Sequence, residues 1–282
     1  MLDLLFNFSH HLRRRWVYGL TSLLVAFSVI LTTPQSSQAF SVLELLLRGV
    51  QIIQLSTLSD NQEVALGQQI NDQLVSSELT LYSDRTINNY VNQVGQNLVP
   101  YSDRPNLAYT FQVVESDDLN AFATMGGFVY VTTGLIKAAD NEAQLASVMS
   151  HEIGHIAARH SLKQMRELAV AQGIASVAGL DRNTAVNLGV ELALRRPNSR
   201  RDEFEADQKG LATLQKAGYA PIAMPTFMEK LRNQASLPEF LSTHPAVSDR
   251  IQALNQAIDP RTASTGKGLD NSAYRSRISS LS

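Results

Sequence analysis

Apolar positions along the chain fall into blocks whose spacing shifts from helical to strand-like and back. Trp16 to Leu31 is uncharged and mostly apolar; it follows Arg13-Arg14-Arg15 and precedes Ser37-Gln38-Ala39. A basic start, a short apolar core and a small-x-small exit describe a secretory signal peptide over residues 1–39. As a helix the run would reach about 24 Å, short of a ~30 Å hydrocarbon core; an N-terminal membrane anchor is the alternative. Phe40 to Leu55, with only Glu44 and Arg48 charged, reads as an amphipathic helix packed on the domain or lying on a membrane surface. Ser59-Asp60 with Glu63 forms a capping pattern for a helix through Val64, Leu66, Ile70 and Leu74. Ile87, Tyr90, Val91, Val94 and Leu98 space the next one.

Period two takes over at Ala108 to Val114, which turns Tyr109, Phe111 and Val113 to one face, and Gly126 to Gly134 is a second strand bounded by glycines. Helical spacing returns at Asp140, a candidate cap, and runs to about Ile258. The Ser/Gly/Thr-rich segment 259–282 reads as a mobile polar tail. The expected architecture is α+β: one mostly helical domain over 40–258 with a small β-sheet.

Composition narrows the function. The 282 residues are 44% hydrophobic and 18% charged with a net charge of −2, which excludes a disordered chain and argues against a nucleic-acid partner. Loss of the leader would remove three arginines and one aspartate and move the charge from −2 to −4. The absence of cysteine removes a disulfide framework, a thiolate metal site and a cysteine nucleophile. Of six histidines, three lie between 151 and 160.

His151-Glu152-Ile153-Gly154-His155 is an H-E-x-x-H motif; chance would produce roughly 0.005 such matches in a chain of this composition. Leu145, Val148, Met149, Ile153 and Ile156 give it a helical apolar stripe. Four residues apart on one helix face, His151 and His155 suit two corners of a Zn²⁺ tetrahedron, with Glu152 beside them as base. On a continuous helix His160 would be rotated about 140° from His155 and about 180° from His151, so it is read as a packing or surface histidine that points away.

A catalytic zinc takes a third protein ligand and keeps a position open. Glu203 and Asp207 lie four apart on the helix face continued by Leu211 and Leu214, where an unpaired carboxylate would be costly. Glu203 as ligand, with Asp207 orienting a ligand histidine, is the economical assignment. A salt-bridged helix using Arg200, Arg201 and Lys209 is the alternative.

Four segments in order resemble a known family. They are Asn120-Ala-Phe-Ala-Thr-Met-Gly-Gly-Phe-Val-Tyr-Val-Thr-Thr-Gly-Leu135, the HEIGH helix, Glu203-Phe-Glu-Ala-Asp207, and Ser242-Thr-His-Pro245 followed by Arg250-Ile251. Over residues 58–258 the chain is similar to the gluzincin metallopeptidases that include the HtpX, BepA, Oma-type and CAAX prenyl proteases. The resemblance implies one Zn²⁺ per chain held by His151, His155 and Glu203, with Glu152 as general base to the zinc-bound water and Asp207 as supporting partner. It implies that Phe128, Val129, Tyr130 and Val131 form an edge strand which, with Asn120, aligns an extended peptide. His244 would gate the site or stabilise the transition state; a histidine that caps a turn before the last helix is the alternative. Tyr219 and Arg250 are further oxyanion candidates.

The expected protein is therefore an exported zinc endopeptidase of the bacterial periplasm or envelope. It would act on extended or misfolded polypeptides, with peripheral membrane association as an option. A chaperone-like binding protein with a closed or structural zinc site is the competing reading. An aminopeptidase would need a group to hold a free α-amine, and the sequence offers no identifiable one. The sequence lacks the several membrane-spanning helices and the C-terminal helical repeats of some relatives, so it is expected to be a compact form of the family.

Overall fold

A computed structural model of the chain describes residues 52–171, 180–195, 197–234, 236 and 238–281. The expected leader over 1–39 and all but the end of the helix expected over Phe40 to Leu55 lie outside them. Within that end, β1 (Ile52–Ile53) is a strand paired antiparallel with β5 (Leu180–Asp181), and Leu55 opens a 3-10 turn through Thr57. No helix among the described residues is long and apolar enough to cross a membrane.

The described elements belong to one compact unit, Gly49–Ser282. The helix α1 (Asp60–Gln73) starts at Ser59, whose capping box uses Gln62 rather than Glu63. Glu63 is instead buried and held by Arg104 and Arg159. The helix α2 (Arg85–Leu98) buries the predicted stripe Ile87, Tyr90, Val91, Val94 and Leu98. The strands β2 (Thr110–Val114), β3 (Ala121–Thr124) and β4 (Phe128–Thr132) form a sheet of order β2-β4-β3, with β2 parallel and β3 antiparallel to β4.

This order corrects one expectation. The strand Phe128–Thr132 is central, buried along its length and paired on both sides, so its main chain is committed to its neighbours. Its side chains alternate: Val129 and Val131 enter one core and Phe128 and Tyr130 the other. The strand β3, unrecognised in the sequence, is the sheet edge beside the HEIGH helix. Gly126 and Gly127, with φ of 81° and 100°, make the β3–β4 turn that side-chain-bearing residues resist.

After β4 come α3 (Thr133–Ala138) and α4 (Glu142–Ala157), the HEIGH helix. Asn141, not Asp140, caps α4 by accepting from the Gln144 amide, while Asp140 pairs with Lys230. The remaining helices are α5 (His160–Ala171), α6 (Arg182–Arg195), α7 (Arg200–Lys216), α8 (Ala223–Arg232), α9 (Glu239–Thr243), α10 (Val247–Ala257) and α11 (Asn271–Arg277). One core joins α2, α4, α7, α8 and α10 to one face of the sheet; the other joins α1, α5 and α6 to the opposite face.

The segment expected to be a mobile polar tail is packed. Tyr274, Ile278 and Leu281 are buried in the first core, and the Tyr274 hydroxyl donates to the Ile136 carbonyl at 2.7 Å. Three apolar residues in a polar stretch suffice, because they are spaced to land on one side of α11 and the turn after it.

Candidate metal centre

The two ligand-type histidines of α4 face α7, which approaches closely because glycines meet its backbone. A Cβ on Gly154 would lie 2.6 Å from the Ala206 carbonyl oxygen, and one on Gly210 would lie 2.9 Å from the His151 Cα. This contact brings Glu203 and Asp207, one turn apart on α7, against His151 and His155. His244, the residue that ends α9, completes the group.

All four side chains are buried, and their ligand atoms converge. His151 Nε2 is 3.0 Å from His155 Nε2 and 3.2 Å from His244 Nδ1. Glu203 Oε1 is 3.3 Å from His155 Nε2 and 3.1 Å from His244 Nδ1, and Glu203 Oε2 is 3.5 Å from His151 Nε2. A tetrahedral zinc with bonds of about 2.0–2.1 Å has ligand-to-ligand edges of about 3.3–3.4 Å. Donor set and spacing both fit that ion.

The surrounding side chains orient the donors. His151 Nδ1 donates to Asp207 Oδ1 at 2.9 Å. Arg250 grips Asp207 with two bonds of 2.7 Å and reaches Glu203 Oε2 at 2.5 Å. Burial works against a charge on His151, but hydrogen bonds to Asp207 and Glu203 prevail and raise its pKa to about 9; a metal ion held at Nε2 would take the place of that extra proton. Burial drives His155 down to about 3, leaving the neutral ring a metal requires. Glu203 is held well below the usual carboxylate range: burial opposes this, and the surrounding histidines outweigh it. Burial raises Glu152, whose Oε1 has no hydrogen-bond partner among the described residues and lies 3.5 Å from His244 Nε2.

The structure thus brings His151, Glu152, His155, Glu203, Asp207 and His244 together. It corrects His160, which does not point away. The helix α4 ends at Ala157, Arg159 adopts a left-handed φ of 58°, and His160 turns back so that its Nδ1 lies 2.8 Å from His155 Nδ1. The angular offset expected for a continuous helix does not apply, because the helix breaks between the two histidines. Arg250 is committed to carboxylates rather than to an oxyanion, and the Tyr219 hydroxyl donates to Glu142, ten residues from Glu152. His244 does end a turn, but its side chain enters the donor set, and the helix after it is followed by α11.

A cavity of about 40 Å³ adjoins Glu152, His155 and His244, walled by Phe122, Ala123 and Thr124 of β3 and by Gly189, Leu192 and Ala193 of α6. Asn120 sits just before β3, its backbone carbonyl accepting from the Thr132 amide and hydroxyl.

A fold with the H-E-x-x-H helix packed on a glutamate helix and a small sheet defines a metallopeptidase-type centre. The chain belongs to peptidase family M48, whose family model matches residues 86–258. It is similar to the beta-barrel assembly-enhancing protease of Escherichia coli (strain K12), 36% identical over 228 residues, covering 73% of this chain and 46% of that protein. The protein of that name from Yersinia pestis is 33% identical over 245 residues, covering 79% and 49%. The mitochondrial metalloendopeptidase OMA1 of Arabidopsis thaliana is 36% identical over 156 residues, covering 54% and 32%. The chain thus spans about half the length, or less, of these curated relatives.

Proposed function

We propose that the chain is a zinc-dependent endopeptidase that hydrolyses peptide bonds in extended or misfolded envelope proteins, with His151, His155 and Glu203 as its zinc ligands. The observation that carries this reading is the convergence of three imidazoles and a carboxylate at zinc-tetrahedron spacing beside buried Glu152, whose Oε1 makes no hydrogen bond among the described residues. When bound, zinc supplies Lewis acidity that polarises a scissile carbonyl and makes water nucleophilic near neutral pH. Glu152 takes the proton of the attacking water and passes it to the departing amine, and its raised pKa suits a group that must hold a proton between those steps. Asp207 keeps the hydrogen of His151 on Nδ1, so Nε2 offers its lone pair.

His244 acts as a gate in this reading. A hydrolytic site keeps one position open, and His244 Nδ1, 3.2 Å from His151 Nε2 and 3.1 Å from Glu203 Oε1, would be a fourth donor to a bound metal. A cavity of about 40 Å³ holds water but no peptide. The segment carrying His244 and the helix α6 must therefore withdraw before an extended substrate can add to the edge strand β3, the role first expected for Phe128 to Val131. Asn120, at the start of that edge, would help align the peptide. β-Barrel assembly stands in the name of the bacterial relatives; with the leader-like residues 1–39 it supports an envelope location and polypeptide substrates. The closed donor set also favours the second reading, a chaperone-like binding protein whose zinc site stays shut.

The test is cleavage of an unfolded protein such as casein by wild type, Glu152→Gln and His244→Ala. Glu152→Gln should keep its zinc and lose at least about 100-fold in rate; undiminished cleavage overturns the mechanism. His244→Ala should cleave faster than wild type if the residue gates the site, and slower if it stabilises the transition state. A wild type and His244→Ala that both leave casein intact while suppressing its aggregation would establish the binding-protein reading instead.

A further inference from the structure

We propose that His160 is a positioning residue of the metal centre: it accepts the Nδ1 hydrogen of His155 and so fixes the tautomer in which His155 Nε2 offers its lone pair. The proposal rests on the zinc-peptidase reading above. Both rings are buried and their Nδ1 atoms lie 2.8 Å apart, so one nitrogen carries a hydrogen and the other accepts it. His155 Nε2 lies in the donor set, 3.3 Å from Glu203 Oε1. The single hydrogen of neutral His155 therefore belongs on Nδ1, and His160 Nδ1 is the acceptor.

The far side of the His160 ring agrees. Its own hydrogen must then sit on Nε2, which faces Asp202 Oδ1 at 3.6 Å and Glu205 Oε2 at 3.5 Å. Two carboxylates favour a hydrogen there and disfavour a bare lone pair. The opposite tautomer would aim a lone pair at both carboxylates and move the His155 hydrogen onto Nε2, against the donor set. His160 Nε2 forms no hydrogen bond of its own, so its end of the ring is set by the nearby charges, and one assignment agrees with both ends.

The backbone is shaped to make this contact. His160 reaches His155 only because α4 stops and Arg159 takes up a left-handed conformation that a residue with a Cβ ordinarily avoids. The Arg159 guanidinium is anchored on Glu63 Oε2 at 2.9 Å and on Asp60. The two ligand histidines are thus oriented differently: His151 by a carboxylate and His155 by a second imidazole, which accepts the hydrogen without placing another negative charge in contact with the donors.

The experiment measures zinc affinity of the full chain by competition with a chromophoric chelator, for wild type, His160→Asn and His160→Leu. Asparagine Oδ1 stands near the place of Nδ1 and can accept the hydrogen; leucine fills the space and cannot. The leucine variant should bind zinc about 10–100-fold more weakly, and the asparagine variant within about threefold of wild type. Wild-type affinity in the leucine variant, or equal weakening in both, overturns the proposal. Wild-type protein that binds no zinc overturns the zinc-peptidase reading and this proposal with it, whereas zinc binding insensitive to His160 overturns this one alone. Should the leucine variant fail to fold, ¹⁵N-histidine spectra of zinc-loaded wild type decide. His155 should carry its hydrogen on Nδ1 and His160 on Nε2; a hydrogen on His160 Nδ1 overturns the proposal.

Discussion

Arg250 sets the geometry of a site whose chemistry it does not perform. Only 1% exposed, it is tied by two bonds to Asp207, by one to Glu203 and by one to the His244 carbonyl. One planar guanidinium therefore fixes a donor, the orienting partner of a second donor and the backbone of a third. Lysine would keep the charge but lose the fork. Arg250→Lys should cost about 2–4 kcal/mol, since one ammonium cannot make all four of these buried bonds and leaves carboxylate or carbonyl oxygens without a donor. At this chain length that lowers the melting temperature by about 5–15 °C, readable by calorimetry; an unchanged melting temperature would show that the fork is dispensable. In the sequence Arg250 stands in a family pattern and as an oxyanion candidate, not as a carboxylate clamp. Its carboxylate partners come from a helix more than forty residues away, and no local spacing encodes that pairing.

At the scale of elements, the centre depends on how closely α4 and α7 approach. The spacing of His151, His155, Glu203 and Asp207 was legible because each pair lies within one helix, where four residues return to one face. That the two faces meet was not legible, and neither was the part played by Gly154 inside the motif and by Gly210. Gly210→Ala puts a methyl group 2.9 Å from the His151 Cα, a backbone atom that cannot turn aside. The helices must separate, at a cost of about 1–3 kcal/mol, and Glu203 moves away from both imidazoles. The variant should lose both thermal stability and bound zinc when dialysed against a weak chelator. Full zinc retention would mean that the helix spacing is not what assembles the site. Sheet order escaped the sequence for a related reason: strand patterns reveal alternation but not neighbours. The edge role that the resemblance implies for Phe128 to Val131 therefore has no check in the strand pattern, and the four-residue β3 is too short to show a clear alternation.

For the whole molecule, the decisive question is where the fold ends. Composition placed the boundary at Ile258, because residues 259–282 are polar on average. Burial is decided residue by residue, however, and this segment returns to the catalytic half of the protein. Lys267 pairs with Tyr219, and the Gly268 carbonyl accepts from the Ala143 amide, one of the unpaired donors in the first turn of α4. Tyr274, Ile278 and Leu281 then close the core over α2, α3 and α4. Burial of a large apolar side chain contributes about 1.5–3 kcal/mol as an upper estimate, so three of them rival a domain's whole net stability of about 5–15 kcal/mol. A chain stopped after Ile258 should therefore melt more than about 10 °C below the full chain, or fail to fold. It should also weaken zinc binding, because the first turn of the H-E-x-x-H helix loses its outside partner. Hydrogen exchange gives the complementary reading on the intact protein. The Tyr274 and Ile278 amides, which donate to Asp270 and Tyr274, should be protected well beyond those of an exposed segment. Exchange at the unprotected rate, together with an unchanged melting temperature on truncation, would return the tail to the mobile extension its composition suggests.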